Sequence, residues 1–281
     1  MNLISHLKVV LKALSKKSLS LQTMNKAILS TLNYRILIVI LETILVFIIY
    51  KYYKIYIEVD FFIFSIAIVF PLVFSITSAY QRRQDSIMLF SEFRNKIIDT
   101  SNILFAVNKF DKKDYNKIFD GLLNIQADFI DHLKHDKDSG NFERIREKRK
   151  KVFKDIISYK DLYNEREKDS LISSKNDIFL SMEKLNGIKL HSTPVSLRRY
   201  CLIFIYLSPF LFNTKLITEG QFEMSLGIDL PVSILFSITI SFILMALYNI
   251  QDYIENPFDQ EGLDDLQIDQ MKIHEKENLY N

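Results

Sequence analysis

The sequence is poor in the residues that make tight turns and covalent cross-links. Its 281 residues include no tryptophan, one cysteine, five prolines and six glycines. A single cysteine excludes an intramolecular disulfide and a cysteine-based zinc site. So few glycines and prolines argue against a β-sandwich or a doubly wound sheet. The net charge of +2 gives no indication of a nucleic-acid partner. We therefore expect an almost entirely helical chain.

Apolar residues, which make up 48% of the chain, are gathered in four blocks separated by charged segments. Two blocks lie within residues 33–79 and two within residues 200–248. At 1.5 Å per helical residue, each block can cross the roughly 30 Å hydrocarbon core of a bilayer. The pattern predicts an all-α membrane protein with four transmembrane helices.

The second block, residues 61–79, carries no charge and contains a row of large apolar side chains. Ile66, Phe70 and Phe74 are each four residues apart, with Pro71 among them. This spacing places the three side chains on one face of a helix. The spacing fits either a packing seam between helices or the wall of a pore, and on its own it favours the seam.

The segments outside the blocks complete the predicted domain organisation. Residues 1–32 alternate leucine-rich positions with lysines, which indicates a basic amphipathic segment at a membrane interface or a cytosolic helix. Lysines interrupt every stretch that could be a signal peptide. Residues 80–199 form a charged helical insert, with breaks predicted near residues 109–113, 136–141, 158–161 and 187–194. Residues 249–281 form an acidic tail.

Positive charge predicts the orientation. The insert and the N-terminal segment are both rich in lysine and arginine, which accumulate on the cytoplasmic side of a membrane. We therefore expect a multi-pass protein of the cell (plasma or inner) membrane, with the insert and both termini in the cytoplasm.

After the fourth block, residues 248–269 read YNIQDYIENPFDQEGLDDLQID. This segment resembles the bestrophin family of ion channels, whose last membrane helix is followed by an I-E-x-P-F element and then an acidic element. The matching residues here are Ile254, Glu255, Pro257, Phe258, Asp264, Asp265, Leu266, Ile268 and Asp269. TPVSLRRY at residues 193–200 resembles the entry to the family's third span, and AYQRRQD at residues 79–85 resembles the end of its second. Arg83 and Gln84 stand where the family has paired tryptophans.

The resemblance implies a bestrophin-like homopentamer that passes small inorganic ions through a pore lined by the second transmembrane helix. Ile66, Phe70 and Phe74 would then form its hydrophobic neck. Phenyl edges carry partial positive charge, so chloride is the favoured ion. A monovalent cation channel of the same fold remains an alternative, as does a non-conducting membrane-anchored helical scaffold.

The resemblance also implies two further sites. The family has a second constriction in its cytosolic part, for which Leu171 and Ile172 are the candidates. Animal members bind calcium with the acidic tail, and Glu261 and Asp264 are weak candidates for metal ligands here. Self-association, the lipid bilayer and small ions are the expected partners, and no cofactor is expected.

The sequence offers little support for an enzyme. It contains no H-E-x-x-H or G-x-S-x-G motif and no glycine-rich phosphate loop. The nearest arrangement to a metal site is Asp128, Asp131, His132 and His135, which helical spacing places on one side. In a helix this polar, we interpret the group as a solvated face and regard a membrane metalloenzyme as a distant third hypothesis.

Overall fold

The computed structural model describes residues 33–55, 60–107, 111–135, 139–218, 232–260 and 265–274. These ranges contain seven α-helices and no strand, which confirms the predicted all-α class. The helices are α1 (Tyr34–Tyr53), α2 (Phe61–Ala106), α3 (Lys112–Lys134), α4 (Ser139–Ser158), α5 (Glu165–Leu190), α6 (Val195–Thr218) and α7 (Val232–Ile254), with 3-10 turns at Lys160–Leu162 and Ile268–Met271. The predicted amphipathic segment, residues 1–32, lies outside the described residues.

Four helical stretches of the described chain are long and apolar enough to cross a membrane, as the four blocks predict. They are α1, the first part of α2, α6 and α7. The chain divides into two compact units: residues 1–78 with 193–253, and residues 79–192 with 254–281. The membrane helices thus belong to the first unit, and the charged insert and the tail belong to the second.

A buried polar network joins the helices of the first unit. The Thr43 and Ser241 hydroxyls lie 2.9 Å apart, which links α1 to α7. Asn213 of α6 donates to the Thr43 carbonyl at 3.0 Å and accepts from Ser237 of α7. All four side chains are fully buried. Because lipid offers no competing hydrogen bonds, contacts of this kind hold membrane helices together.

Helix α2 continues for 46 residues, well past the end of the apolar block. Its sequence contains no glycine, and its one proline, Pro71, lies within the apolar part. The change to charged residues after Ala79 therefore alters the surroundings of the helix without ending it. At residue 79 the amino-acid composition changes, but the helix does not end there.

The second unit has an aromatic-rich core between the later part of α2, α3, α4, α5 and the tail. Its fully buried aromatic residues are Phe90, Phe93, Tyr115, Phe129 and Phe258. Helix α5 begins at a capping box, in which Asn164 accepts from the Glu167 N–H and Glu167 accepts from the Asn164 N–H, both at 2.8 Å. The helices end at Ala106, Lys134, Ser158 and Leu190, close to the predicted breaks.

Candidate functional site

The three residues of the predicted neck form an exposed row on α2. Ile66, Phe70 and Phe74 are 47%, 59% and 53% exposed. The Phe70 and Phe74 rings meet edge to face, with centroids 4.6 Å apart. This arrangement presents a continuous apolar surface along one side of the helix.

The other side of the same segment is packed. Ile68 and Leu72 are 1% exposed and belong to the apolar core of the first unit, and Ser75 is fully buried. The orientation of α2 within the unit is therefore fixed by packing. The row of Ile66, Phe70 and Phe74 faces away from this core.

Pro71 lies within this segment, and α2 remains continuous through it. Proline has no N–H, so the carbonyl four residues earlier, that of Ala67, loses its backbone donor. The Tyr200 hydroxyl of α6 donates to the Ala67 carbonyl at 3.4 Å. Tyr200 is a contributor to the site that the sequence analysis missed. A proline in a predicted membrane helix is the signal that could have prompted a search for such a donor.

Two of the three sequence elements that resemble the bestrophin family meet in the second unit. Arg82, from the element at residues 79–85, donates to the Glu255 carboxylate at 2.5 Å and to the Glu255 carbonyl at 3.1 Å. Its other terminal nitrogen donates to the Ile188 carbonyl at 2.7 Å. Both side chains are mostly buried. Arg82 thus ties α2 to the start of the tail and to the end of α5.

The described part of the tail is built into the second unit. Phe258 and Ile268 are fully buried in its core, and Pro257 is buried as well. The Leu266 N–H donates to the Pro257 carbonyl at 3.0 Å, which joins the two halves of the motif. Asp265 is 8% exposed. The tail motif therefore has a clear structural role.

Electrostatic contacts add to this docking. Lys134 of α3 and Lys272 both pair with Asp269, and these hydrogen bonds hold the pKa of the Asp269 carboxyl below its ordinary value. Glu261 and Asp264, the candidate metal ligands, lie outside the described residues. Within the described ranges, no three His, Cys, Asp or Glu side chains are grouped as a metal site.

The two candidates for the second constriction differ in environment. Leu171 is 5% exposed and packs in the core of the second unit, whereas Ile172 is 43% exposed. Of the two, only Ile172 presents its side chain at the surface. Helical periodicity could have predicted that Leu171 is buried, because it shares a face with the buried residues Ile178, Met182 and Leu185.

The acidic and histidine residues of α3 have other partners. Asp128 pairs with Lys148, and His135 pairs with Asp131 at 3.1 Å. His132 is 5% exposed, stacks on Phe142 and lies 2.8 Å from the Asn186 amide oxygen. The expected solvated face is thus wrong for His132, because this side chain is part of the core.

Comparisons with known proteins identify the fold. No protein-family model and no curated protein matches the sequence. The zinc-phased crystal structure of a bacterial bestrophin homologue from Klebsiella pneumoniae does match, with a TM-score of 0.70 and 15% identity, over 85% of this chain and 93% of that one. A point variant of the same homologue matches with a TM-score of 0.70 and 15% identity over 88% of this chain and 93% of its own. The chain therefore has the fold of the bacterial bestrophin homologues.

Proposed function

We propose that this chain is a divergent prokaryotic member of the bestrophin family and forms an oligomeric ion channel in the cell membrane. The observation that carries the proposal is the exposed row of Ile66, Phe70 and Phe74, in a chain with the bestrophin fold. Small ions would flow passively along the surface that this row presents.

Packing among the residues that the structure describes does not account for the row. Each of the three side chains is about half exposed, whereas the opposite face of α2 supplies the contacts of the core. Lipid, another copy of the chain or an ion path must therefore face the row. The fold similarity and the tail motif favour the ion path.

One chain supplies only one wall, so a pore requires a closed ring of copies. The resemblance leads us to expect five copies, with α2 nearest the axis and both termini in the cytoplasm. A narrow ring of isoleucine and phenylalanine would control flow by wetting and drying. Ile172 is the corresponding candidate for the second constriction.

Chloride is the favoured ion, because edge-exposed phenyl rings present partial positive charge to a passing anion. One observation favours the cation alternative. Continuing along the same helical face of α2 leads to the exposed residues Thr77, Gln81 and Asp85. Asp85 is the first charged residue on that face after the neck, and a ring of carboxylates attracts cations.

Planar-bilayer recording with the purified protein tests the proposal. We expect wild type to conduct, and Phe70→Ala and Phe74→Ala to have larger single-channel conductance because each widens the neck. Leu41→Ala is the control, since Leu41 is 67% exposed on α1. If neither wild type nor the neck variants pass any small ion, the channel is excluded and the scaffold becomes the better explanation.

The reversal potential in a NaCl gradient distinguishes the two ions. For an anion channel, the potential lies near the chloride equilibrium value and Asp85→Asn leaves it there. For a cation channel, it lies near the sodium value and Asp85→Asn moves it toward chloride. Channel function stands in either case.

A further inference from the structure

The ends of three membrane helices meet in a cluster of charged side chains. Arg35 lies in the first turn of α1, Arg198 in the first turn of α6 and Asp252 in the last turn of α7. The Arg35 Nη1 donates to the Asp252 Oδ2 at 2.9 Å, and the Arg198 Nη1 lies 3.6 Å from the Oδ1 of the same carboxylate. All three residues belong to the first unit. These helix ends therefore lie together at one end of the helix bundle.

The charges of this cluster do not balance. Two guanidinium groups share one carboxylate, which leaves one net positive charge. Among the described residues, Asp252 is the only acidic residue that pairs with either arginine. The contact of Arg198 with Asp252 is longer than a usual hydrogen bond, and the Arg198 Nε is buried without a hydrogen-bond partner among the described residues. The cluster thus has both charge and hydrogen-bond donors for an additional anion.

The cluster lies at the surface, at the edge of the apolar part of the bundle. The side chains of Arg35, Arg198 and Asp252 are 27%, 21% and 38% exposed. Tyr34 and Tyr253, which adjoin two of them in sequence, are exposed. Tyrosine is enriched at the level of the lipid headgroups. We therefore expect the cluster to lie at the headgroup level of the membrane.

Exposed aliphatic surface begins one helical turn from the cluster. Ile38 and Leu45 of α1 are both about half exposed, and Ile38 follows Arg35 by three residues. Since Ile38 and Leu45 are seven residues apart, they lie on the same face of the helix. The Arg35 guanidinium lies 5.8 Å from the centroid of the Tyr248 ring, a contact that helps to hold it in place. A cationic group is thus fixed directly beside an apolar strip.

We propose that Arg35 and Arg198 bind the phosphate of an anionic glycerophospholipid, with an acyl chain along Ile38 and Leu45. Guanidinium groups match phosphate in charge and in the geometry of their paired N–H donors. One net positive charge matches the single negative charge of a phosphodiester. The site rests on the membrane placement of α1, α6 and α7 and does not depend on ion conduction, so either proposal can fail without the other.

Native mass spectrometry of the full chain in uncharged detergent micelles tests the site by counting bound lipid molecules. We expect phosphatidylglycerol to bind at least about tenfold more tightly than phosphatidylcholine, whose choline group cancels the phosphate charge. Arg198→Gln retains the pair of Arg35 with Asp252 and should weaken phosphatidylglycerol binding about tenfold. Asp252→Asn leaves both arginines without their competing carboxylate and should tighten binding about fivefold.

Arg199→Gln is the matched control for Arg198→Gln. Arg199 is the next residue along α6, is exposed and forms no ion pair among the described residues, so this variant removes the same charge beside the cluster. We expect its affinity for phosphatidylglycerol to stay within about twofold of wild type, because the uncharged micelle has no general attraction for cations.

The other outcomes would overturn the proposal. Equal affinity for the two lipids would show that the phosphate charge is not recognised. Equal losses in Arg198→Gln and Arg199→Gln would assign binding to the overall charge of this region. Weaker binding in Asp252→Asn would show that the carboxylate does not compete with the lipid. If sn-glycerol 3-phosphate displaces phosphatidylglycerol at an equal concentration, the cluster is a site for a soluble phosphate ester and the lipid is excluded as its specific ligand.

Discussion

Single hydroxyl groups keep two proline-containing helices continuous. Pro71 deprives the Ala67 carbonyl of its backbone donor, and Tyr200 supplies a hydroxyl instead. In α6, Pro209 does the same to the Ile205 carbonyl, and the Ser208 hydroxyl donates to it at 2.7 Å. Lipid supplies no replacement donor, so these contacts satisfy carbonyls that would otherwise be unpaired. Helix α6 accordingly continues past Pro209.

The contact between Tyr200 and Ala67 gives a prediction that a double-mutant cycle tests. Tyr200→Phe should lower the free energy of unfolding by about 0.6 kcal/mol, the average for a hydrogen bond between membrane helices. In a Pro71→Ala background, residue 71 has an N–H that can donate to Ala67, so the same change should cost nothing. Denaturant unfolding in detergent micelles measures both differences.

Tyr206→Phe is the control for this cycle, since Tyr206 lies on the same helix and is half-buried. It should have the same small effect in both backgrounds. An equal cost of Tyr200→Phe with and without Pro71 would show that the hydroxyl does not compensate for the proline.

From the sequence, the burial or exposure of an individual residue could be predicted only where helical periodicity assigns that residue to a face. A spacing of four placed Ile66, Phe70 and Phe74 on one face, and the structure shows that this face is exposed. The same rule separates Leu171 from Ile172. It could not reveal that Arg82 meets Glu255, because 173 residues separate them and neither neighbourhood indicates the other.

At the scale of elements, apolar length and turn residues predicted the helices well. The four apolar blocks contain α1, the first part of α2, α6 and α7, and the charged insert consists of helices with ends near the predicted breaks. The continuous length of α2 was not foreseen. A change from apolar to charged residues resembles the end of an element, but it leaves the backbone hydrogen bonds of a helix intact.

The tail is an element held mainly by its apolar residues, with ion pairs added. Phe258 and Ile268 anchor it in the core, while Asp269, whose side chain is 49% exposed, pairs with Lys134 and Lys272. Half-exposed pairs of this kind contribute little, at most about 1 kcal/mol. The contribution of Asp269 to stability can nevertheless be measured, because it depends on pH.

Asp269→Asn should destabilise the chain by about 0.5 kcal/mol at pH 7 and by almost nothing near pH 3. The folded pKa of Asp269 is lowered, so its stabilisation is full above the unfolded value of about 3.9 and is lost as the pH falls through the folded value. Thermal unfolding of wild type and variant at both pH values measures this difference. Asp169→Asn is the control, because Asp169 is exposed and forms no ion pair among the described residues. A cost that persists at pH 3 would assign the effect to something other than charge.

At the scale of the whole molecule, the described residues leave apolar surface uncovered on several helices, and two of these surfaces can be compared directly. One lies on α1, where Leu37, Leu41 and Leu45 are all more than half exposed. The other is the row on α2. A bilayer accounts for the first surface, whereas in the channel proposed above copies of the chain surround the second. The sequence could not show this difference, because both surfaces are apolar rows with the same spacing of four residues.

Cross-linking in membranes distinguishes the two surfaces. The variant Phe74→Cys is treated in membranes with a short bismaleimide, whose length does not exceed the width of a narrow pore neck. We expect this treatment to give covalent dimers. Because the native Cys201 is buried, each chain of this variant has one reactive cysteine and can join a single partner. A five-membered ring therefore always leaves one copy over. Dimer formation should therefore level off at about four fifths of the chains, whereas a ring of four can react completely. The plateau on a denaturing gel thus reports the subunit count as well as the proximity.

Leu41→Cys and wild type are the controls for this measurement. Leu41 lies on the surface of α1 assigned to lipid, and the native Cys201 is 1% exposed, so both should remain largely monomeric under the same conditions. If Phe74→Cys also remains monomeric, the row does not face a ring axis, and the neck assigned to Ile66, Phe70 and Phe74 is wrong. If Leu41→Cys dimerises and Phe74→Cys does not, the copies meet through α1, and the row on α2 faces lipid.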